Sequence, residues 1–241
     1  MLSAIGVGAK MEGKGCPIER IWVSDGLKPG ALDFVTPEGD GAMGIMFENR
    51  ELRIALRDAA KEADGLTLFQ PDRAVTVNRD ADGVTMTLSS GAELSGALLV
   101  AAEGRNSPTR DAAGMRVARW SYEHVGMVTA IEHEVPHANT AYEIFYPGGP
   151  FALLPMQPGN RSAIVWTVPA KRAPAMLALS DRAWLAEAQK RMGGFLGEIS
   201  LVSPRSSYPL GFHHAASITD TRLALVGDAA HGIHPIAGQG L

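Results

Sequence analysis

Two acidic residues of this sequence, each beside a glycine, follow apolar runs that end abruptly. Glu103-Gly104 follows residues 97–102, and Gly227-Asp228 follows residues 223–226. A carboxylate can accept hydrogen bonds from the hydroxyls of a ligand, and a glycine lets that ligand approach the backbone closely. Because ligands of open α/β sheets collect beyond the carboxyl ends of the strands, the two pairs are the first candidates for a binding site.

The first pair runs into a segment that predicts the start of a helix. Ser107 can cap this helix and Pro108 suits its first position, so backbone amides would point toward the end of the strand. Such amides attract anions, and Arg110 follows closely. Taken alone, the segment favours an ordinary helix start whose arginine lies in solvent.

The second pair runs into a glycine-rich tail. Gly238 and Gly240 flank Gln239, a few residues after Pro235. Because glycines carry no side chain, the backbone amides of this tail could lie against a planar ligand. Acidic–glycine pairs also end many strands as simple turns, so each pair is a weak signal alone and the two are informative together.

Strand and helix signals alternate along the chain, which predicts a mixed α/β fold. Helices are predicted after caps at Asn49 and Ser180, and an additional strand begins near Leu94. The continuous apolar runs at 97–102 and 223–226 are typical of strands covered on both faces, whereas residues from about 120 to 209 predict an antiparallel sheet. The other predicted strands are residues 21–24, 32–35, 66–69, 74–77, 84–88, 141–146, 151–155 and 162–168.

Composition limits the classes of function. The 241 residues are 46% hydrophobic and 20% charged, which predicts a folded core, and the net charge of −4 offers no basic surface for nucleic acid. The sequence has a single cysteine, Cys16, and no apolar stretch approaches a membrane span, so a cytoplasmic protein is expected.

Histidines and tryptophans offer weaker candidates. His231 and His234, with the pair at 213–214 upstream, lack a nearby acid or thiol that would complete a metal site, so no metal is expected. Trp120, Trp166 and Trp184 are interpreted as packing residues.

The acidic–glycine segments resemble those of a known flavoprotein family. Glu103 to Arg110 resembles the Asp-Gly-x-x-Ser-x-x-Arg motif of FAD-dependent aromatic-ring hydroxylases, and residues 227–240 resemble their Gly-Asp segment. Residues 149–156, 207–210 and 234–240 are similar to the ubiquinone-biosynthesis branch, the 2-polyprenyl-6-methoxyphenol hydroxylases. The resemblance implies a partial Rossmann-like FAD-binding domain with an antiparallel-sheet substrate domain, as in para-hydroxybenzoate hydroxylase.

The resemblance also implies a division of the chain. The partial FAD-binding domain would comprise residues 1–18, 46–116 and 218–241, and the substrate domain residues 19–45 and 117–217. The sequence departs from the family in having Glu103 where Asp is usual, and no Gly-x-Gly-x-x-Gly follows a strand. The family continues beyond Leu241, so a piece shortened at both ends is expected.

Specific cofactor contacts follow from the resemblance, but no catalytic side chain does. Asp228 would hold the ribityl or ribose hydroxyls of FAD, and Glu103 and Gly104 would lie near the pyrophosphate and the passing nicotinamide. Backbone amides from Gly238 to Gly240 would face the pyrimidine edge of the flavin. The implied contacts are Arg53, Glu103, Gly104, Ser107, Arg110, Gly227, Asp228, Pro235, Gly238, Gln239 and Gly240.

The implied function is hydroxylation of an electron-rich, prenylated phenol, with FAD as cofactor, NAD(P)H as co-substrate and O2 as oxidant. A prenyl tail would favour an apolar groove and peripheral association with the inner membrane or a ubiquinone-biosynthesis complex. Two alternatives stay open. One is a shortened, non-catalytic relative that holds substrate or assists assembly; the other is a flavin hydroxylase of a simple soluble phenol.

Overall fold

A computed structural model describes residues 2–37 and 39–238. The chain divides into two compact units: Met1–Leu66 with Glu123–Pro209, and Thr67–Tyr122 with Leu210–Leu241. The bounds of these compact units differ from those of the FAD-binding and substrate domains expected from the sequence. That functional division stays a prediction. No helix in the described ranges is long and apolar enough to cross a membrane.

The chain contains both helices and strands, as expected, with groups of consecutive strands between the α-helices. The α-helices are α1 (Val7–Met11), α2 (Asn49–Glu62), α3 (Pro108–Ala112), α4 (Ala173–Leu177) and α5 (Asp181–Met192). The strands are β1 (Cys16–Ile18), β2 (Arg20–Asp25), β3 (Leu32–Val35), β4 (Gly44–Met46), β5 (Ala74–Arg79), β6 (Val84–Leu88), β7 (Glu93–Gly96), β8 (Leu99–Ala101), β9 (Val117–His133), β10 (Thr140–Phe145), β11 (Phe151–Met156), β12 (Arg161–Pro169), β13 (Ile199–Leu201), β14 (Ser206–Ala215), β15 (Thr219–Asp220), β16 (Leu223–Leu225) and β17 (His231–Gly232). Short 3-10 helices span Leu2–Ile5, Ala170–Arg172, Gly227–Ala229 and Pro235–Ala237.

A largely antiparallel sheet dominates the first unit. Its strand order is β3-β2-β10-β11-β12-β9, with β13 also paired to β9. Only β2 and β10 run parallel within this order. The predicted antiparallel sheet is therefore confirmed, and so is the mixed α/β class.

One face of this sheet packs against α5. Side chains alternate between the faces of a strand, and buried apolar residues from four adjacent strands form the central row of this face. That row is Ile144, Phe151, Trp166 and Met127. Trp184 of α5 packs against this row, and its ring centroid lies 5.5 Å from that of Trp166.

Local signals determine the limits of α5. The Ser180 hydroxyl accepts a hydrogen bond from the Ala183 amide at 3.3 Å, which confirms the predicted cap. At the other end Gly193 adopts a φ of 75°, a left-handed conformation that ends a helix at little cost only in glycine. Between them, Trp184, Ala188 and Met192 recur at helical spacing and are buried.

The second unit contains two small sheets. The meander β5-β6-β7 is antiparallel, and its strands lie where strands were predicted, at 74–77, at 84–88 and near Leu94. In the other sheet, β8 and β16 are parallel neighbours and β15 pairs with the outer edge of β16. Small and branched apolar residues form the core beneath β8 and β16: Ala101, Ala215, Leu223, Leu225, Ala229 and Ala230.

Some sequence-based expectations are wrong. Helix α2 begins at Asn49 itself, and its cap residue is Glu48, whose side chain makes no capping bond. Residues 66–69 form no strand, and Leu66, Leu68 and Phe69 are exposed. The interpretation of the tryptophans as packing residues, by contrast, is confirmed: Trp166 and Trp184 are buried, and Trp120, although 53% exposed, stacks on Phe212 with ring centroids 4.0 Å apart.

The apolar run at 97–102 forms a shorter strand than predicted. Only Leu99–Ala101 is extended, and Val100 is 52% exposed while Ala101 is buried. The described residues therefore cover one face of β8 and leave the other open, so the expectation of cover on both faces is wrong.

Substitution of Ile164 tests the first unit's core. Ile164 is fully buried between Leu153 and Thr129 of the adjacent strands. Ile164→Ala removes contacts that cannot be fully replaced, so we expect a loss of about 3 kcal/mol in the free energy of unfolding. Urea unfolding followed by tryptophan fluorescence measures it. The control Leu66→Ala, at an exposed and irregular position, should change stability by less than about 0.5 kcal/mol; equal effects would contradict this core assignment.

Candidate functional site

The two acidic–glycine pairs follow neighbouring strand ends in the second unit. Strands β8 and β16 run parallel, with Ala101 opposite Leu225. Continuing that register places residue 103 beside residue 227, since both chains leave the sheet at the same edge. The expectation that the two strand ends lie side by side is therefore confirmed, and they define the candidate site.

Glycine is needed at both strand ends for conformational reasons. Gly104 has a φ of 79° and Gly227 a φ of 57°, values that side chains disfavour. A Cβ at either position would meet no atom of residues 2–37 and 39–238 within 4 Å. The glycines are therefore required by the backbone, and the space beside them is open to a ligand.

The side chain of Glu103 is bound to the start of α3. One carboxylate oxygen accepts from the Ser107 hydroxyl at 2.6 Å and from the Thr109 amide at 3.1 Å, and the other accepts from the Thr109 hydroxyl at 2.9 Å. The anion at this helix start is thus the chain's own carboxylate, and the expectation of free amides there is wrong for Thr109.

The buried side chain of Arg110 forms hydrogen bonds to the segments that follow both strand ends. Its guanidinium is fully buried, and it donates at 3.1 Å both to the carbonyl oxygen of Arg105 and to that of Ala229. It also forms an ion pair with Asp111 at 3.0 Å. Because Ala229 follows the second acidic–glycine pair, this one side chain ties the second strand end to the first.

Ser107 is likewise fully buried, and its hydroxyl caps α3 through the Arg110 amide at 3.2 Å. The expected cap, with Pro108 in the first turn, is confirmed. The side chains of Ser107 and Arg110 therefore have protein partners, which leaves a supporting role as the simplest account of them. Their assignment as cofactor contacts stays a prediction.

Asp228 presents the available carboxylate of the site. Its side chain is exposed, and in the described part of the chain it has no hydrogen bond or ion pair. Its backbone is held by His213, whose Nε2 lies 2.7 Å from the Asp228 carbonyl oxygen and donates to it. Asp228 can therefore accept hydrogen bonds from hydroxyl groups of a ligand.

His213 is a supporting residue whose role was not recognised from the sequence, where it was weighed only as a metal ligand. It is buried, and Gly232 packs so closely that a Cβ there would lie 2.3 Å from the imidazole. No group of three His, Cys, Asp or Glu side chains suited to a metal occurs among residues 2–37 and 39–238. A sequence signal for the supporting role is absent, because it depends on β14 passing beside Asp228.

The glycine-rich tail is described up to Gly238. His234 caps the short helix Pro235–Ala237 by accepting from the Ile236 amide at 3.2 Å, and Gly238 follows with a φ of 63°. Pro235 and Gly238 are exposed. Gln239 and Gly240 lie outside the described residues.

Arg53 belongs to the first unit. It lies on α2 with an exposed side chain, and no hydrogen bond or ion pair of it occurs in the described ranges. Its contact with a cofactor phosphate stays a prediction.

Cys16 is close to His137 but is not an activated nucleophile. The two side chains are 3.9 Å apart, and His137 Nε2 donates to the Met156 carbonyl oxygen at 2.9 Å, so that nitrogen cannot accept the thiol proton. Burial, aided by the charge of Glu19, raises the pKa of the Cys16 thiol. A buried and protonated thiol is unreactive.

Comparison with known proteins gives a consistent result. The whole chain, residues 1–241, matches the FAD binding domain family. It is 44% identical to ubiquinone hydroxylase UbiL of Rhodospirillum rubrum over 241 residues, covering all of this chain and 56% of that protein. It is 32% identical to 3-demethoxyubiquinol 3-hydroxylase of Escherichia coli over 199 residues, covering 83% of this chain and 50% of that protein. The chain thus spans about half the length of these curated relatives.

Solved structures share the fold. The probable FAD-dependent monooxygenase pqsL of Pseudomonas aeruginosa superposes with a TM-score of 0.82 at 20% identity, covering 99% of this chain and 68% of that one. HpxO of Klebsiella pneumoniae, solved with FAD and uric acid, gives 0.73 at 23% identity, covering 99% and 63%. The predicted fold class and family resemblance are confirmed: with strand ends arranged as described above and a match over its full length, this chain belongs to the FAD-binding domain family and has ubiquinone hydroxylases among its relatives.

Proposed function

We propose that this chain forms part of an FAD-dependent hydroxylase that acts on a phenol in ubiquinone biosynthesis. The observation that carries the proposal is the parallel pairing of β8 with β16, which brings two acidic–glycine pairs to one edge. Relatives named as ubiquinone hydroxylases support the choice of pathway.

The donor and acceptor groups at this edge fit FAD. The exposed Asp228 carboxylate can accept hydrogen bonds from ribityl or ribose hydroxyls. Open space beside Gly104 and Gly227 admits a pyrophosphate close to the backbone, where Glu103 and the passing nicotinamide would also lie.

Other residues have supporting or peripheral roles in this proposal. Arg110 holds the first strand end to the second, and Ser107 caps the helix that carries Arg110, as their buried bonds indicate. The backbone from Gly238 through Gln239 to Gly240, after Pro235, would face the pyrimidine edge of the flavin. Arg53 would reach a phosphate.

The division of labour between cofactor and protein follows from this arrangement. When bound, FAD supplies the redox chemistry that joins an oxygen atom of O2 to the ring with electrons from NAD(P)H. The antiparallel sheet of the first unit contributes an apolar surface that positions the phenol and excludes water.

The substrate proposed is a prenylated phenol. The names of the relatives support a ubiquinone precursor, and such a molecule carries an apolar tail. Peripheral association with a membrane or with a biosynthetic complex follows as part of the proposal, because that tail would partition into lipid.

Replacing Asp228 tests the cofactor contact. Asp228→Asn removes the charge that strengthens hydrogen bonds to hydroxyl groups, so we expect FAD to bind roughly tenfold more weakly or worse. Quenching of flavin fluorescence during titration of the chain measures Kd. Glu93→Gln, at an exposed acid on β7 of the same unit, is the matched control and should leave Kd unchanged. Wild-type protein that binds no FAD, or equal effects of both changes, would rule out this contact.

Alanine at the two site glycines tests the open space. Gly104→Ala and Gly227→Ala place a methyl group where the ligand would approach the backbone, so we expect FAD affinity to fall by at least about tenfold. Each also forces alanine into a left-handed conformation, which costs about 1–2 kcal/mol of stability.

Gly91→Ala separates these two effects. Gly91 lies between β6 and β7 with a φ of 89°, and a Cβ there would meet no atom of the described residues within 4 Å. Alanine therefore meets similar strain there, in a sheet separate from that of β8 and β16. Thermal unfolding should show comparable losses of stability for all three variants, while flavin titration should show weakened binding only for the changes at residues 104 and 227. Unchanged affinity in those two would contradict the proposed approach of the cofactor.

A further inference from the structure

The second face of the first unit's sheet, opposite α5, carries a single acid in an apolar row. The paired registers place Val23, Glu143, Ala152, Val165 and Val128 side by side on β2, β10, β11, β12 and β9. Since directly paired residues point to the same face, Glu143 is flanked by a valine and an alanine. All members of the row except the buried Ala152 are partly exposed, so a small molecule can reach them.

Glu143 lacks the partners that acids in such places normally have. In the described part of the chain, its carboxyl group has neither a hydrogen bond nor an ion pair. Removal from water raises the pKa of Glu143 to about 7. A half-buried carboxylate without a protein partner is unfavourable to the free energy of the folded chain. A bound ligand that donates a hydrogen bond to it would supply the missing partner.

Other charged or titratable groups on this face do not supply that partner. They are Asp25, His124, Glu132, Arg161 and Tyr208, assigned to the face by strand register. Asp25 pairs with Lys28 at 2.8 Å, and Glu132 pairs with Arg161 at 3.2 Å.

Tyr208 and His124 are too distant to partner Glu143. The ring of Tyr208 packs over Gly126 of β9, and His124 lies on the same strand. Strand β9 is three strands from β10, which corresponds to roughly 14 Å. Within the row of five paired residues, Glu143 is therefore the polar one, and its four row neighbours are valines and an alanine.

We propose that Glu143 is a substrate-binding residue whose carboxylate accepts a hydrogen bond from the hydroxyl group of a phenol lying on this apolar face. The inference rests on the proposed function and deepens it, because it names the group that would orient the ring. Valine and alanine side chains in the row give a flat surface for an aromatic ring, and the carboxylate determines which ring edge faces the strand β10. A hydrogen bond to an ionised carboxylate is also about twice as strong as one between neutral groups.

Binding of a small probe as a function of pH tests this inference without the cofactor. The probe is 4-fluorophenol, titrated with the 241-residue chain and followed by 19F NMR at pH 6 and pH 8. The ionised fraction of a carboxyl group with a pKa of about 7 rises from roughly a tenth to roughly nine tenths across this interval. We therefore expect up to about tenfold tighter binding at pH 8, where the phenol itself is still protonated.

Three controls isolate the hydrogen bond. The probe 4-fluoroanisole has no hydroxyl group, so its binding should be independent of pH. Glu143→Gln should bind 4-fluorophenol weakly and equally at both pH values, because the amide does not ionise. Asp25→Asn, which removes an acid of the same face, should retain the pH dependence of the wild-type chain.

Several outcomes would overturn the assignment of Glu143. They are no detectable binding of 4-fluorophenol by the wild-type chain at pH 8, the same pH dependence with 4-fluoroanisole, or pH dependence that persists in Glu143→Gln. Titration with FAD distinguishes this failure from failure of the proposed function. If any of these outcomes is found while the wild-type chain binds FAD, only the role of Glu143 is lost. A wild-type chain that binds no FAD counts against the proposed function.

Stability gives a second measurement that needs no ligand. The folded-state pKa of Glu143 lies above its ordinary value of 4.5, so its protonated form is favoured by folding and the folded state loses stability as pH rises from about 4.5 to about 7. Glu143→Gln removes this loss. We expect the unfolding midpoint of the wild-type chain to fall across that window relative to the variant; parallel curves would show that Glu143 is fully hydrated and contradict the inference.

Discussion

The parallel pairing of β8 with β16 is the constraint on which the candidate site depends. It brings two segments more than 100 residues apart to one edge of a sheet. Arg110 then secures the arrangement, because its buried guanidinium bonds to the carbonyl groups of both Arg105 and Ala229. A buried guanidinium that loses its acceptors is strongly unfavourable, so the two strand ends are linked energetically as well as geometrically.

The acids of this chain have different roles because their surroundings differ. Glu103 is occupied by the start of α3, so its charge organises the protein. Asp228 is exposed and available to hydroxyl groups of a ligand. Glu143 is half-buried among apolar neighbours, and burial raises the pKa of its carboxyl group to about 7. The sequence alone does not distinguish these environments, which depend on hydrogen-bond partners and burial.

Much of the architecture was predictable from local patterns. Local patterns predicted the strands β2, β3, β5 and β6, and Ser107 and Ser180 were recognised as helix caps. Errors arose where tertiary contacts override local preference: residues 66–69 have strand-like composition but no partner strand among the described residues. The roles of Glu103 and His213 were likewise hidden, because each depends on one specific side-chain contact.

Changes in backbone amide chemical shifts, measured by NMR, test whether both strand ends face one ligand. FAD would be added to isotope-labelled chain while the signals of Gly104, Gly227 and Asp228 are followed. We expect all three signals to shift with the same dependence on FAD concentration, since a single molecule contacts both strand ends. Shifts confined to one strand end, or found only at other residues, would contradict it.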